Sequence, residues 1–233
     1  MTSISFLSRL IDLIAPRACS VCGRRLSISE QIFCSKCNLH LPRTNYSQNP
    51  YENEMARLFW IQLPIERAAA MIFYQPHSQS GGFIYDLKYR NHPEIGETIG
   101  KMMAEEMTVD RFFEGVDLLI PVPLARKRQR QRGYNQSLEI AKGISEVTHI
   151  PIANDVVIRK SFTGSQTKKD RWARQENVEG AFELRNGQRI SGKHVLIVDD
   201  IVTTGATILA CGKELMKAGN IKISIISIGF TKT

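Results

Sequence analysis

The sequence predicts an α/β protein whose parallel sheet is covered by helices on both faces, preceded by a small cysteine-rich module. From residue 116 onward, nearly unbroken runs of Val, Ile and Leu alternate with amphipathic segments. This alternation is typical of a parallel sheet buried on both faces. Nearer the N-terminus, four of the five cysteines form two Cys-x-x-Cys pairs. We therefore divide the chain into a module with its linker, residues 1–64, and a larger domain, residues 65–233.

The cysteine pairs are Cys19 with Cys22 and Cys34 with Cys37, and eleven residues separate them. Each pair places two thiolates on one tight turn, and two facing turns supply the tetrahedral sulfur shell that zinc prefers. Buried free thiols or a redox pair are the alternatives, although a redox motif needs only one pair in a thioredoxin-like setting. We predict a structural zinc site, because four thiolates leave no open coordination position.

The elements of the larger domain follow from apolar periodicity and from Pro and Gly breaks. Residues 42–64 are predicted to be a linker with one short helix. The isolated histidines, His194 among them, show no ligand spacing and are expected at the surface or at helix caps. Strands are predicted over 67–75, 116–123, 155–160, 180–184, 194–200 and 222–230, and helices over 78–90, 93–107, 134–148 and 205–219.

Composition limits the partners that this protein can have. The 233 residues are 42% hydrophobic and 23% charged, which excludes a disordered chain. The net charge of +8 indicates anionic partners: nucleic acid, phosphorylated metabolites or an anionic membrane surface. Arg9 and Asp12 interrupt the first apolar stretch, so we expect an amphipathic helix there and no membrane span. With no export signal, we expect the cytoplasm.

Residues 195–207, VLIVDDIVTTGAT, carry the most informative pattern. A buried strand ends in Asp199 and Asp200, and a helix begins just beyond Gly205. The N-terminus of a helix presents free amides to an anion, and two carboxylates suit ribose hydroxyls or a magnesium ion. The pattern predicts a ribose 5-phosphate site and matches neither the P-loop nor the dinucleotide fingerprint. The alternative is an ordinary turn with Asp and Thr caps.

This segment resembles the binding loop of type I phosphoribosyltransferases, which hold phosphoribosyl pyrophosphate (PRPP). Residues 121–136 and 166–182, together with the two cysteine pairs, resemble the ComF (ComFC) family, the late competence proteins of naturally transformable bacteria. The resemblance covers nearly the whole chain. It implies a zinc-binding domain joined to a phosphoribosyltransferase-like domain, and a role in the uptake of single-stranded transforming DNA.

The resemblance also implies roles for individual residues. Asp199 and Asp200 correspond to the catalytic, ribose-contacting acids, and magnesium accompanies PRPP. Residues 161–178, with Gln166 and Thr167, occupy the place of the lid over the active site, where Lys168 and Lys169 replace a common Gly-Leu pair. The 5-phosphate cradle would be Thr203, Thr204, Gly205, Ala206 and Thr207, and the pyrophosphate loop would be Leu124, Ala125 and Arg126.

Eleven of the cations fall in two segments that we expect to emerge beside the phosphate loop. They either close on pyrophosphate or form a track for a nucleic-acid backbone. Tyr134 and Trp172 lie within these groups and are candidates for stacking on bases; the alternative is a solvated basic face with both aromatics in the core. The groups comprise Arg126, Lys127, Arg128, Arg130 and Arg132, then Arg159, Lys160, Lys168, Lys169, Arg171 and Arg174.

Two functional hypotheses follow. The first is a DNA-uptake protein that holds single-stranded DNA on a PRPP-binding scaffold and passes it to a competence helicase or recombination protein. The second is an active phosphoribosyltransferase that transfers ribose 5-phosphate from PRPP to an acceptor that the sequence does not identify.

Overall fold

The main sheet consists of four parallel strands. A computed structural model describes residues 16–76, 78, 81–160 and 180–232. In spatial order, the strands are β1 (Arg67–Phe73), β6 (Lys222–Phe230), β5 (His194–Val202) and β2 (Leu118–Pro121). All three strand pairs are parallel, so every carboxyl end meets at one edge. This arrangement confirms the predicted fold class; the helix predicted near the N-terminus lies outside the described residues.

Helices cover both faces of the sheet. Neighbouring residues of one strand contribute to opposite apolar clusters: Ala69 and Met71 to one, Ala68 and Ala70 to the other. This alternation is the period-2 geometry of a strand buried on both sides. The described helices are α1 (Ser35–Leu39), α2 (Glu54–Arg57), α3 (Gly82–Tyr89), α4 (Pro93–Val109), α5 (Arg126–Arg132), α6 (Gln136–Thr148) and α7 (Ala206–Leu215), with short 3₁₀ turns at Tyr46–Gln48, Gly187–Arg189 and Met216–Ala218.

Helices α4 and α6 pack unusually close together. A Cβ atom at Gly143 would lie 1.9 Å from the carbonyl oxygen of Glu97, and one at Gly100 would lie 2.2 Å from that of Ile140. Only glycine permits this approach of two backbones. The contact fixes α6 against α4 and thereby places the N-terminus of α6 beside the carboxyl end of β5.

Two of the predicted strands do not belong to the main sheet. Strand β3 (Val157–Arg159) pairs with β4 (Phe182–Leu184) in a separate antiparallel hairpin. Our expectation that they continue the parallel sheet is wrong. Parallel strands require a crossover connection, usually a helix, and the sequence between these two predicts none, whereas antiparallel strands need only a loop.

The segment predicted as a linker, residues 42–64, contributes to the core of the larger domain. Met55, Phe59 and Leu63 are at most 1% exposed. The Leu63 side chain packs against Gly212 of α7, in the space that a Cβ atom at Gly212 would occupy. The division of the chain at residue 64 stays a prediction, but the side chains that follow α2 are packed beneath the predicted phosphate loop.

The cysteine-rich module also contacts the main core. Ile32, Phe33 and Leu41 belong to the apolar cluster on the α4 side of the sheet, and the Phe33 ring meets Phe83 edge-on at 5.0 Å. Within the part of the chain that the structure describes, no helix is both long and apolar enough to cross a membrane.

Candidate functional site

The predicted phosphate loop lies at the carboxyl edge of the sheet, between β5 and α7. Gly205 precedes α7 with φ at +76°, and a Cβ atom there would lie 2.9 Å from the Phe59 ring. Glycine is therefore required twice, for its backbone angle and for the close approach of Phe59. The loop encloses a hollow of about 40 Å³ lined by Asp199 and by residues 201–208. Ala206, Thr207 and Ile208, at the start of α7, line this hollow, and the N-terminus of a helix is where free amides can bind an anion.

Asp199 and Asp200 stand at the same edge in different surroundings. Asp199 is buried, and its Oδ1 accepts hydrogen bonds from the Ser137 hydroxyl at 3.1 Å and from the Asp200 amide at 2.9 Å. Burial and the neighbouring Asp200 carboxylate raise the pKa of Asp199 to about 7. Asp200 forms an ion pair with Lys88, whose Nζ lies 3.1 Å from Oδ2. The site thus holds two carboxyl groups, one of them paired with a lysine.

Residues 133–137 connect this site to α3, to the end of β2 and to the start of α6. The hydroxyl of Tyr134 donates to the carbonyl oxygen of Leu87 in α3. The Asn135 side chain caps α6 at the Ser137 amide and donates to the carbonyl oxygen of Val122 just after β2. These bonds hold Ser137 where its hydroxyl reaches Asp199. Lys88 and Ser137 are functional candidates that the sequence analysis missed.

The first basic segment forms α5, which begins at the predicted pyrophosphate loop. Ala125 is its N-cap, and Leu124 and Arg126 line an adjacent cavity. Four of its five cations are exposed, and Arg132 is half-buried. A cleft of about 670 Å³ lies between α5 and the end of α3; we call it the α5 cleft. Its lining includes Lys88, Tyr89, Asn91, Arg128, Arg130, Gln131, Arg132 and Gly133.

The start of the second basic segment lies on the other side of α5. Arg159 and Lys160, at the end of β3, line a cavity of about 500 Å³ together with Arg126. Burial lowers the pKa of Arg159, the charge of Arg128 lowers it further, and the charge of Asp199 opposes both. The charged side chains of Arg128 in α5, Arg159 in β3 and Asp199 in β5 are therefore close enough for their charges to interact at this edge of the sheet.

Some predicted residues do not join this group. Tyr134 is half-buried against the main core and its hydroxyl donates to Leu87, so the structure shows a packing contact, and stacking on bases stays a prediction. The remaining predicted residues lie outside the described residues: Gln166, Thr167, Lys168, Lys169, Arg171, Trp172 and Arg174.

The four cysteines of the module come together as predicted. The Sγ atoms of Cys19, Cys22, Cys34 and Cys37 lie within 4.8 Å of one another, close enough to share a metal ion. Gly23 follows the first pair with φ at +73°, and its amide donates to the carbonyl oxygen of Cys19 at 2.8 Å. This is the tight turn that brings the first pair of sulfur atoms to one side.

The sulfur atoms fit a tetrahedral metal. A Zn–S bond of about 2.3 Å implies a sulfur–sulfur edge of about 3.8 Å, and the Sγ atoms of Cys22 and Cys34 are 3.8 Å apart. The Cys34 amide donates to the Cys19 sulfur at 3.3 Å. Burial raises the pKa of Cys19, but backbone N–H donors from Cys34, Cys22 and Val21 lower it to about 6. These donors favour the thiolate of Cys19 at neutral pH, as a metal ligand must be, whereas burial and hydrogen bonds with the neighbouring thiols raise the pKa of Cys37.

Comparison with known proteins agrees with this architecture. A family model described as phosphoribosyl transferase domain matches residues 134–230. A DNA utilization protein YhgH from Shigella flexneri is 28% identical over 215 residues, 89% of this chain and 87% of its own. A competence protein F from Haemophilus influenzae is 34% identical, covering 61% and 64% of the two chains. A competence protein ComFC from Bacillus subtilis is 30% identical over 44% and 39%.

The parallel sheet, the strand-to-helix loop with its two acids and the matching family model define a phosphoribosyltransferase-type domain, here carrying a four-cysteine module. Similarity to competence and DNA utilization proteins, together with this domain, supports the predicted resemblance to the ComF (ComFC) family.

Proposed function

We propose that this protein takes part in DNA uptake, holding single-stranded DNA in the α5 cleft beside a site for PRPP or a related ribose phosphate. The observation that carries the proposal is the α5 cleft itself, in which Lys88, Arg128, Arg130 and Arg132 surround about 670 Å³ next to the acid pair. The names of the DNA utilization and competence relatives support it. We place the activity in the cytoplasm, where thiols stay reduced for metal binding.

The composition of α5 supports an anionic partner. Its sequence, RKRQRQR, contains five cations and no acid. Like charges four residues apart, such as Arg126 with Arg130 and Arg128 with Arg132, destabilise a helix by a few tenths of a kcal/mol each. Cations in the first turn also oppose the helix dipole. A bound phosphate backbone removes both penalties, so α5 gains stability when its partner binds.

The ribose-phosphate part of the proposal depends on the loop of residues 203–207 and on the acid pair. The loop hollow offers amides and threonine hydroxyls to a phosphate, while Asp199 and Asp200 offer acceptors to ribose hydroxyls. Carboxylate oxygens are also the ligands that magnesium prefers, and the ion would neutralise pyrophosphate charge when bound with PRPP. The same contacts would also serve an enzyme that transfers the ribosyl group from PRPP to an acceptor. Release of pyrophosphate in the presence of a panel of bases and amines would reveal this activity.

DNA binding by the α5 cleft has a measurable salt dependence. For a single strand, the logarithm of the affinity falls with the logarithm of salt concentration by about 0.7 per phosphate contacted. We expect Arg128→Gln/Arg130→Gln to weaken binding of labelled oligothymidine and to make the slope shallower by about 1.4, since two contacts are lost. Fluorescence anisotropy over a salt series measures both quantities.

The matched control removes two cations from the opposite edge of the sheet. Lys193 and Lys222 are exposed, and the Lys222 amide donates to the carbonyl oxygen of Lys193 where β5 and β6 begin. We expect Lys193→Gln/Lys222→Gln to bind as the wild type does. Equal losses in the two variants would mean that the charge acts as a whole surface, and absence of binding by the wild type at low salt would refute the DNA role.

Binding of PRPP with magnesium should stabilise the protein. A ligand at about a hundred times its Kd adds about 2.7 kcal/mol to the free energy of unfolding. We expect this increase in the wild type and its loss in Asp199→Asn/Asp200→Asn, which keeps the side-chain volumes. Asp155→Asn, a change at an exposed acid paired with Arg189, is the control and should keep it. A wild-type melting temperature that does not respond to PRPP with magnesium would contradict the ribose-phosphate site.

A further inference from the structure

Two tyrosines lie side by side on the exposed face of α3. Tyr85 and Tyr89 are one helical turn apart, 57% and 62% exposed, with ring centroids 4.8 Å apart and planes inclined at 43°. The other face of the helix is fully buried through Phe83, Ile84 and Leu87. An exposed aromatic residue on its own is ordinary, but two in contact form a continuous aromatic surface on which a flat ring can stack.

The tyrosine pair adjoins the α5 cleft. Tyr89 itself lines the cleft, and the guanidinium carbon of Arg132 lies 5.3 Å from the centroid of its ring. The cations of the cleft thus begin where the aromatic surface ends. An aromatic surface bordered by positive charge is complementary to a ligand that carries flat, unpaired rings on an anionic backbone.

We propose that Tyr85 and Tyr89 form a stacking platform for the unpaired bases of a single strand whose phosphates lie along the α5 cleft. This inference rests on the proposed function and deepens it. In a duplex the bases are stacked on one another and their faces are covered, whereas a single strand exposes them. The platform therefore selects single strands over duplex, while the cations alone would bind either.

Stacking also fits the need of a protein that receives DNA of any sequence. Every base has a π-face, so stacking on aromatic rings tolerates all four bases, unlike hydrogen-bond readout of base edges. The arginine beside Tyr89 adds a second flat surface on which a base can lie. The platform supplies affinity and strand selection without sequence preference.

The test compares two labelled strands of equal length at one salt concentration: oligothymidine and a strand with abasic sites in place of the bases. We expect the wild type to prefer oligothymidine by about tenfold or more. Tyr85→Ala/Tyr89→Ala should lose most of this preference with an unchanged salt slope, and Tyr85→Phe/Tyr89→Phe should keep the preference because the rings remain. Circular dichroism confirms that each variant is folded, as expected for changes at exposed positions.

Tyr51 provides a matched control, because it is 62% exposed and lies far from the α5 cleft. The carbonyl oxygen of the preceding residue, Pro50, accepts a hydrogen bond from the Ala68 amide, which places Tyr51 near the amino end of β1. Tyr51→Ala removes an exposed ring from the opposite edge and should leave the preference intact. If the wild type binds strands but the alanine pair keeps the full preference, or if the wild type binds duplex as tightly as single strands, the platform is refuted while the DNA role stands. Absence of all strand binding refutes both.

Discussion

Replacing Cys34 with Ser should abolish metal binding by the four-cysteine cluster and unfold the N-terminal module. Cys34 is buried, caps α1 and lies 3.8 Å from the sulfur of Cys22, so its loss opens the four-sulfur shell. The module has a small apolar cluster of its own, formed by Cys19, Leu26 and Cys34. Structural zinc contributes about 10–16 kcal/mol to comparable small domains, far more than such a cluster provides.

Elemental analysis and limited proteolysis measure this effect. The wild type should contain stoichiometric zinc, whereas Cys34→Ser should contain none and should be cleaved between residues 16 and 41. The sheet should persist, because its core lies in the two large apolar clusters. Cys211→Ala is the matched control: it removes a buried thiol from α7 and should keep the metal. A metal-free wild type whose module resists protease would contradict the assignment.

The second large effect concerns the pH dependence of stability. The pKa of Asp199 is raised from 3.8 to about 7 in the folded protein, by burial and by Asp200. Between these values the folded state holds a proton that the unfolded chain releases, so stability falls as the pH rises through this window. Above pH 7 the folded protein carries the full penalty of a buried charge beside another carboxylate.

Asp199→Asn should therefore stabilise the ligand-free protein at pH 8 by about 2–4 kcal/mol and leave it nearly unchanged at pH 4. Asparagine has the same size and its oxygen can still accept from Ser137. Denaturant unfolding at the two pH values gives the difference. Asp155→Asn should act in the opposite direction, because hydrogen bonds from Arg189 and Asn186 outweigh burial and lower the pKa of Asp155. A destabilised Asp199→Asn at pH 8 would show that the Asp199 charge is favourable.

The penalty at Asp199 has a functional meaning. A buried acid that destabilises the protein at neutral pH is typical of a site whose partner supplies the compensating contacts. Lys88 forms an ion pair with Asp200, and in the proposed function ribose hydroxyls or magnesium would take over acceptor groups of the two acids. A buried acid of this kind therefore supports the proposed ribose-phosphate site.

The features that the sequence predicts correctly are formed by residues adjacent in the chain. The strand, acids, glycine and helix start of residues 194–207 follow one another, so apolar pattern and turn chemistry identify them together. The cysteine shell follows from spacing alone. Helix α5 is also predictable from local sequence, since Arg, Lys and Gln all have high helix propensity. Its high charge instead favours a pyrophosphate loop or a nucleic-acid-binding segment over a helix.

The missed features depend on contacts between distant residues. Ser137 reaches Asp199 across 62 positions, and Phe59 lies against Gly205 from a segment that resembles a linker. No local pattern marks either contact. The surface position predicted for His194 is wrong: it is 6% exposed, and its Nε2 is 2.8 Å from the Ser224 hydroxyl of the neighbouring strand. A histidine at the start of a central strand is buried by its neighbours in the sheet, which sequence spacing does not reveal.

Photocrosslinking tests directly whether a single strand lies at the carboxyl edge of the sheet, beside the proposed ribose-phosphate site. A strand containing 4-thiothymidine, irradiated in complex with the wild-type protein, can be located by mass spectrometry of the crosslinked peptides. We predict crosslinks in α3, α5 and the end of β3. Crosslinks concentrated around Lys193 and Lys222 at the opposite edge, or within the cysteine module, would contradict this position of the strand.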